Sequence, residues 1–219
     1  MMAGGGGRKA RRKRTPLGLD EKTKTQMKEV TVGYYDALAN IQTSNHKDYL
    51  IAKNRAEHDM FAKKYLNLKM WIDRTYPNKP TATKGVALDE RQKMALKAYG
   101  ALNRLDKNER KTSDSDAIIA KYEQKEKFLK DDHFRALQPI LKKYYLAKAN
   151  ALAEDDTKKC REDLRAALKE KKQEMAGWRQ HHNIAPRQKP PRQMRQSLAF
   201  QAGLFDLHES CEDTDDDDY

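Results

Sequence analysis

Residues 115–178 read "SDAIIAKYEQKEKFLKDDHFRALQPILKKYYLAKANALAEDDTKKCREDLRAALKEKKQEMAGW", and this stretch decides the fold. Leucine, alanine, lysine, glutamate and arginine dominate it, and these residues have high helix propensities. Acids precede lysines by four positions in several pairs: Glu123–Lys127, Glu126–Lys130, Glu154–Lys158 and Asp155–Lys159. Each such pair stabilises a helix by about 0.2–0.5 kcal/mol. The stretch therefore predicts long, charged helices with narrow apolar faces.

The composition of the whole chain favours an all-α fold with a thin core. Charged residues make up 36% of the 219 residues and apolar residues 37%, against about 25% and 45–50% in average globular chains. Hairpin dipeptides such as Asn-Gly are absent, which argues against a β architecture. We expect an elongated helical bundle or coiled-coil-like helices over residues 20–180, with sub-boundaries at 76–88 and 106–114. The basic N-terminus and the acidic C-terminus are expected to be disordered.

Capping residues and apolar spacing predict the first helices of this body. Asp20 and Asp89 are typical N-caps, each ahead of an apolar stripe at three-to-four spacing. Residues 20–75 fit either two helices, broken near residues 43–46, or one unbroken helix of about 55 residues. The helix after Asp89 is expected to end near Leu105, before a polar linker over residues 106–114.

The organising stretch is expected to begin at a cap formed by Ser113 or Ser115. Pro139 lies inside it and either kinks one helix or starts a new one after Leu137. Beyond it, apolar residues recur three or four apart and form a short, weak seam: Cys160, Leu164, Ala167, Met175 and Trp178, interrupted by Lys171. Because this face is narrow, self-association of the chain is one hypothesis for how it is covered.

The charge distribution indicates an anionic partner. The formal net charge is +12 and the isoelectric point is about 9.5. A basic arm over residues 1–19 contains a run that suits nuclear import or nucleic-acid contact: Arg8, Lys9, Arg11, Arg12, Lys13 and Arg14. Thr15 directly follows the run, and a phosphate there would weaken its binding to anions. The alternative interpretation of the arm is a solvated tail.

The C-terminal part divides into three segments of different character. Residues 181–196 form a Pro/Arg linker, and residues 208–219 form an acidic tail. Between them, residues 197–207 hold an apolar motif that suits docking into a partner's groove: Leu198, Phe200, Leu204, Phe205 and Leu207. The alternative is that this motif packs back onto the helical body. The acidic tail can also compete in cis for the protein's own basic surface, because tethering raises its effective concentration.

Phosphorylation and lysine-rich clusters add further candidate contacts. Acidophilic kinases favour an acid three residues beyond the acceptor, a pattern found at Ser113, Ser210 and Thr214. Lysine clusters that could neutralise phosphates recur along the helices: Lys63-Lys64, Lys142-Lys143, Lys158-Lys159 and Lys169–Lys172. Tyr144-Tyr145 follows one of these clusters and fits either base stacking or, as we favour, the apolar stripe of a helix.

The sequence favours a protein that is not an enzyme and that needs no cofactor or metal. No phosphate-binding glycine loop, G-x-S-x-G or H-E-x-x-H motif is present, and the six histidines do not pair with cysteines at zinc-ligand spacing. Cys160 and Cys211 are far apart, so we expect reduced thiols in an intracellular protein. No apolar run approaches the roughly 18 residues that would span a bilayer, so no membrane partner is expected.

These observations favour a nuclear α-helical protein that contacts DNA or chromatin through phosphates and recruits a protein through its C-terminal motif. No helix-turn-helix or aromatic RNA-binding motif is present, so base-specific readout is not predicted. The alternative is a helical scaffold, a coiled-coil subunit of a protein complex or cytoskeletal assembly, whose positive charge meets an acidic protein surface. A third hypothesis is RNA or ribosome association.

Overall fold

The computed structural model describes residues 17–78, 88–124 and 128–184. These residues form α-helices and contain no β-strand, which confirms the all-α prediction. Six helices follow one another along the described chain: α1 (Glu21–Ala39), α2 (His46–Thr75), α3 (Glu90–Thr112), α4 (Ser115–Glu123), α5 (Asp131–Ala153) and α6 (Thr157–His181).

The central helix of the packing is α1. It packs against α2, which follows it directly, and against α5, which lies about a hundred residues further on. Helix α2 also packs against α3 and α4, and α5 also packs against α6. Two main apolar cores result, and α1 contributes to both: Met27 belongs to the core between α2 and α3, and Leu38 to the core that contains α5 and α6.

Side-chain caps set the start of most of these helices. The Asp20 carboxylate accepts a hydrogen bond from the Thr23 backbone N–H at 2.7 Å, which confirms the predicted cap of α1. Asp89 forms a reciprocal capping box with Gln92 at the start of α3, also as predicted. Asn45 caps α2 through the Asp48 N–H at 2.8 Å. Since α1 ends at Ala39 and α2 begins at His46, residues 20–75 form two helices.

The predicted polar linker over residues 106–114 is wrong, because α3 continues to Thr112. Asp106 and Arg110 lie four residues apart and form an ion pair at 3.1 Å, so the polar stretch supports the helix. Thr112 is buried at the end of α3. The cap of the next helix is Asp114, which accepts from the Ala117 N–H at 3.0 Å, and not the predicted Ser113 or Ser115.

The organising stretch forms three helices and not one continuous rod. Pro139 lies in the interior of α5, which runs without interruption from Asp131 to Ala153. A new helix therefore does not start after Leu137. A proline has no N–H, so Pro139 cannot donate to the carbonyl oxygen of Arg135 one turn earlier.

The apolar face of α6 is covered within the chain. Its five apolar seam residues are buried: Cys160, Leu164, Ala167, Met175 and Trp178. Trp178 packs in the same core as residues of α1 and α5, and its Nε1 donates to the His133 carbonyl oxygen at 3.0 Å. The Lys171 ammonium lies 4.1 Å from the centroid of the Tyr144 ring. This face accordingly needs no second chain to bury it, which removes the argument on which self-association was predicted.

A buried histidine marks the junction of α2 with α5. His46 is 2% exposed and is surrounded by the rings of Tyr49, Tyr122, Phe128 and Phe134. Its Nδ1 accepts a hydrogen bond from the Leu129 backbone N–H at 3.1 Å, which requires the neutral imidazole at that nitrogen. Burial, with a smaller contribution from the positive charge of Lys53, lowers the pKa of His46 from 6.5 to about 4.

Candidate nucleic-acid interface

One flank of α6 carries a row of cations. Successive residues of a helix are turned by about 100°, so side chains three, four and seven apart share a face. Five exposed cations lie within about 80° of the helix circumference by this rule, and we call them the α6 cationic face: Lys158, Arg161, Arg165, Lys169 and Lys172. At about 1.5 Å of rise per residue, the row is about 21 Å long.

The acids of α6 are largely used elsewhere. Glu170 and Glu174 lie on the other flank, where both carboxylates bind the Lys143 ammonium of α5, at 2.7 and 2.8 Å. The hydrogen bonds from Glu170 and Glu174 hold the pKa of Lys143 above its ordinary value. Glu154, just before α6, is bound to Lys159 at 2.6 Å. Charge on α6 is therefore divided between a paired flank that faces α5 and a cationic flank that faces outward.

Four of the five cations of the α6 cationic face are open to a ligand. Within the described ranges, Lys158, Arg165, Lys169 and Lys172 form no ion pair with a carboxylate. Glu162 is the acid that lies nearest this flank in the helical order, about 20° from Lys169 and about 40° from Lys158. The face therefore keeps a net positive charge, with Glu162 at its edge.

A second cationic row lies on α3. Four exposed cations share its outer surface within about 80° of arc, and we call them the α3 cationic face: Lys97, Arg104, Lys107 and Lys111. The opposite side of α3 is buried against α2 through Ala98, Leu102 and Leu105. No carboxylate in the described part of the chain is ion-paired with these four cations. Lys93, at the start of the row, is bound to Glu90 at 2.7 Å.

The lysine clusters identified in the sequence differ in burial and in ion pairing. Lys64 is buried at 8% exposure, and Lys143 is engaged by two glutamates, so neither is available to phosphates. Tyr144 and Tyr145 are 5% and 1% exposed and belong to the core, which confirms the favoured interpretation and leaves no ring face for a base. Lys158 and the Lys169–Lys172 cluster do contribute to the outward face of α6, through Lys158, Lys169 and Lys172.

Most of the other residues singled out in the sequence lie outside the described residues. This applies to the cationic run of the arm (Arg8, Lys9, Arg11, Arg12, Lys13, Arg14), to the docking motif (Leu198, Phe200, Leu204, Phe205, Leu207) and to Thr15, Ser210 and Thr214. Ser113 is described: it is exposed at the C-terminal end of α3, where its hydroxyl donates to the Arg110 carbonyl oxygen at 2.7 Å. Its phosphorylation stays a prediction.

Neither Arg161 and Arg165 nor the α3 cationic face was predicted from the sequence. The predicted clusters were runs of adjacent lysines, which a helix distributes around its circumference. The signal that would have found both faces is a cation repeated every three, four or seven positions, as in Lys97, Arg104 and Lys111. The α3 cationic face also depended on recognising that α3 extends beyond Leu105, since Lys107 and Lys111 were assigned to a linker.

Histidines cluster where α6 ends beside α5, without forming a metal centre. The His182 ring lies 4.4 Å from that of His133 and 4.8 Å from that of His181, centroid to centroid. Desolvation, followed by the neighbouring histidine charges, lowers the pKa of His182 below its ordinary value. In residues 17–78, 88–124 and 128–184, no three histidine, cysteine or acidic side chains are grouped so that they could hold a metal ion.

Comparison with known proteins assigns no relative. No protein-family model, no curated protein and no solved structure matches the chain. Within the described ranges, no helix is long and apolar enough to cross a bilayer.

Proposed function

We propose that this chain is a nuclear, non-enzymatic α-helical protein that binds DNA or chromatin through phosphate contacts. The observation that carries the proposal is the α6 cationic face, a row of outward cations on the side of the helix away from Glu170 and Glu174. The α3 cationic face offers a second contact of the same kind. Among the described residues, neither face includes an exposed aromatic ring that could stack on a base, which favours binding that does not depend on sequence.

Phosphate binding by such a face has a defined physical signature. Each cation that neutralises a phosphate releases a condensed counterion, so the logarithm of the affinity falls with the logarithm of the salt concentration. Contacts from Lys158, Arg165, Lys169 and Lys172 would give a slope of about −3.6 on duplex DNA. The cations of the basic arm would steepen the slope further if Arg8 to Arg14 also contact phosphates.

The two ends of the chain complete the proposal. The basic arm would direct the protein to the nucleus and add phosphate contacts, and the apolar motif over residues 197–207 would recruit a protein partner. The acidic tail over residues 208–219 would compete with DNA for the cationic faces, and phosphates on Ser210 or Thr214 would strengthen this competition.

A salt titration tests the DNA-binding proposal. Fluorescence anisotropy would measure binding of the full chain to a labelled duplex of random sequence across a series of potassium chloride concentrations. The test variant combines Arg165→Gln, Lys169→Gln and Lys172→Gln on α6. We expect the salt slope to become shallower by about 3 and the affinity at moderate salt to fall about tenfold or more.

The matched control removes the same residue types, one arginine and two lysines, from the exposed surface of α2. It combines Arg55→Gln, Lys63→Gln and Lys69→Gln, all of which are exposed. Because both variants lose three positive charges, a purely global charge effect would weaken both equally. Equal weakening, or a full chain that ignores duplex DNA at low salt, would contradict the proposal. Tighter binding to single-stranded RNA than to duplex DNA in the same titration would favour the RNA hypothesis instead.

One observation favours the scaffold as a second candidate function. Leu66 and Met70 are 56% and 51% exposed and lie one turn apart on the outer surface of α2. Two apolar side chains at this spacing are a typical contact for another helix. In this case the charge of the α6 cationic face would meet an acidic protein, and helical proteins would co-purify with the chain while duplex DNA would bind weakly.

A further inference from the structure

A groove of about 470 Å³ opens between the α1–α2 turn and the middle of α5. Its apolar lining comes from both sides: Leu38, Ile41, Tyr49, Pro139 and Leu141. The Gln138 side-chain amide donates to the Thr43 carbonyl oxygen at 2.5 Å and holds the turn against α5. The groove is therefore built from elements that are fixed to each other, although they come from distant parts of the sequence.

Two polar groups at this groove lack the hydrogen bonds expected of them. The Thr43 hydroxyl is buried and has no hydrogen-bond partner among the described residues. The Arg135 carbonyl oxygen cannot receive its usual helical donor, because residue 139 is a proline.

The rim of the groove is cationic. The side chains of Arg135 and Lys142 both line it and both are exposed. Arg135 has a long ion pair of 3.7 Å with the exposed Asp132, which leaves most of its hydrogen-bonding capacity open. A ligand that suits this surface is apolar at its centre and carries carboxylates at its edge.

The described chain ends against the apolar core that also lines this groove. Ile184 packs against the same apolar core to which Leu38, Tyr49 and Leu141 belong. The hydrogen bond from Trp178 to the His133 carbonyl places the end of α6 beside the first turn of α5. From His133 to Pro139 the helix rises only about 9 Å. The twenty residues from Ile184 to Leu204 can span at most about 70 Å, so they reach the groove easily.

We propose that residues 204–209 of the same chain occupy this groove. The segment reads Leu-Phe-Asp-Leu-His-Glu, with three apolar residues beside two carboxylates, and it complements the apolar lining and the cationic rim. Leu204 and Phe205 fill the apolar centre, and Asp206 and Glu209 meet Arg135 and Lys142. Because a tethered segment has an effective concentration of about 1 mM, moderate affinity is enough to keep it bound.

This inference rests on the docking role proposed for residues 197–207. It adds the site that the motif occupies when no partner is bound. A partner that recruits the motif would have to displace it from the protein's own groove. Recruitment would thus be available only to partners whose affinity exceeds that of the internal contact. The inference does not depend on DNA binding, and its test contains no nucleic acid.

Photo-cross-linking in the full chain tests the inference. Phe205 would be replaced by the photo-reactive amino acid benzoyl-phenylalanine, and the protein would be irradiated at about 1 μM, where contact within one chain dominates over contact between chains. Peptide mapping by mass spectrometry is expected to place the cross-links at Ile41, Gln42 or Pro139 and their neighbours, in monomeric protein. Cross-links to another surface, to a second copy, or to no protein residue would overturn the proposal.

Charge reversal at the rim supplies the matched variants. Arg135→Glu combined with Lys142→Glu is expected to reduce the cross-link yield about fivefold or more. Arg55→Glu combined with Lys63→Glu, on the exposed surface of α2, changes the net charge equally and is expected to leave the yield unchanged. Circular dichroism would establish that both variants are folded, and an unchanged yield in a folded rim variant would overturn the proposal. If the cross-links fail while the salt titration succeeds, the DNA-binding proposal is unaffected.

Discussion

Lys28 of α1 caps the C-terminal end of α5 at Ala153. Its ammonium donates to the carbonyl oxygens of Ala153 and Glu154 at 2.8 and 2.9 Å, and it also binds the Asp155 carboxylate at 2.7 Å. A helix C-terminus leaves carbonyl groups without donors and carries partial negative charge. Lys28 of α1 thus supplies donors to the carbonyl oxygens at the end of α5. Its hydrogen bond and charge also hold the pKa of Asp155 below its ordinary value.

We expect Lys28→Met to destabilise the protein. The variant keeps most of the apolar stem but leaves the carbonyl oxygens of Ala153 and Glu154 without their charged donor, which costs about 1–2 kcal/mol of unfolding free energy. Urea denaturation followed by circular dichroism measures this. Lys24→Met is the control, because its ion pair with Glu21 is exposed and lies within one helix, and it should cost less than about 0.5 kcal/mol. Equal losses in the two variants would show that the cap contributes nothing.

His46 predicts a loss of stability in acid. Its pKa is about 4 in the folded protein and 6.5 in a solvated chain, so the unfolded state takes up a proton first as the pH falls. The stabilisation is fully present above about pH 6.5, declines below it, and is exhausted near pH 4, with a loss of about 3 kcal/mol in total.

The pH dependence of His46→Gln, compared with that of the parent protein, measures the contribution of this imidazole. Glutamine does not titrate, so the unfolding free energy of the variant should change less between pH 7 and pH 4.5, even if the variant is less stable at pH 7. His181→Gln is the control, because its side chain is exposed. Parallel pH profiles for the parent and His46→Gln would mean that His46 is not buried in the neutral form.

Asn54 connects α2 to the junction of α3 and α4. Its side-chain amide donates to the Thr112 carbonyl oxygen at 2.7 Å and to the Ser115 hydroxyl at 3.1 Å, and the residue is 4% exposed. We expect Asn54→Ala to cost about 2 kcal/mol, since the buried Thr112 carbonyl would lose a donor that water cannot easily replace. Chemical denaturation should show this loss, while Asn103→Ala on the exposed side of α3 should change stability by less than about 0.5 kcal/mol. A small effect at Asn54 would mean that the junction is solvated.

The α3 and α6 cationic faces should contribute independently to DNA binding. The two helices share no packed interface, since α3 packs against α2 and α6 against α5. Substitutions at distant sites usually have additive free energies. Combining Lys97→Gln, Arg104→Gln and Lys107→Gln with the three α6 substitutions should therefore give the sum of the two separate changes in binding free energy in the anisotropy titration. If the α3 substitutions leave the affinity for DNA unchanged, the α3 cationic face is a solvated surface that does not contact DNA.

Local chemistry made much of the helical fold predictable, and long-range packing did not. Asp20 and Asp89 could be recognised as caps, because a cap depends on residues only three positions apart. The extension of α3 to Thr112 was missed, since a polar stretch resembles a linker until Asn54 of another helix is known to hold its end. The sequence also left open whether Pro139 starts a new helix or lies inside one, because proline is rare inside helices. In the structure it lies inside α5.

The cationic character of the candidate interface was predictable from the sequence, but the positions of its residues were not. Charge composition indicated a polyanionic partner, and Lys158 and Lys169 were already singled out. Which lysines remain available depends on pairing across helices: Lys143 is bound by Glu170 and Glu174, and Lys64 is buried. Neither the pairing of Lys143 nor the burial of Lys64 has a signature in the local sequence. The glutamates that pair with Lys143 lie in another helix, and the burial of Lys64 comes from tertiary packing.

Because α1 contributes to both apolar cores, the two cores depend on each other for stability. Met27 and Leu38 lie on one continuous helix but in different cores, so neither half of the protein retains its packing if α1 detaches. Melting should consequently occur as one cooperative transition and not as two. A ligand that binds only α6 would thereby raise the melting temperature of α3 as well, because both helices unfold in the same event.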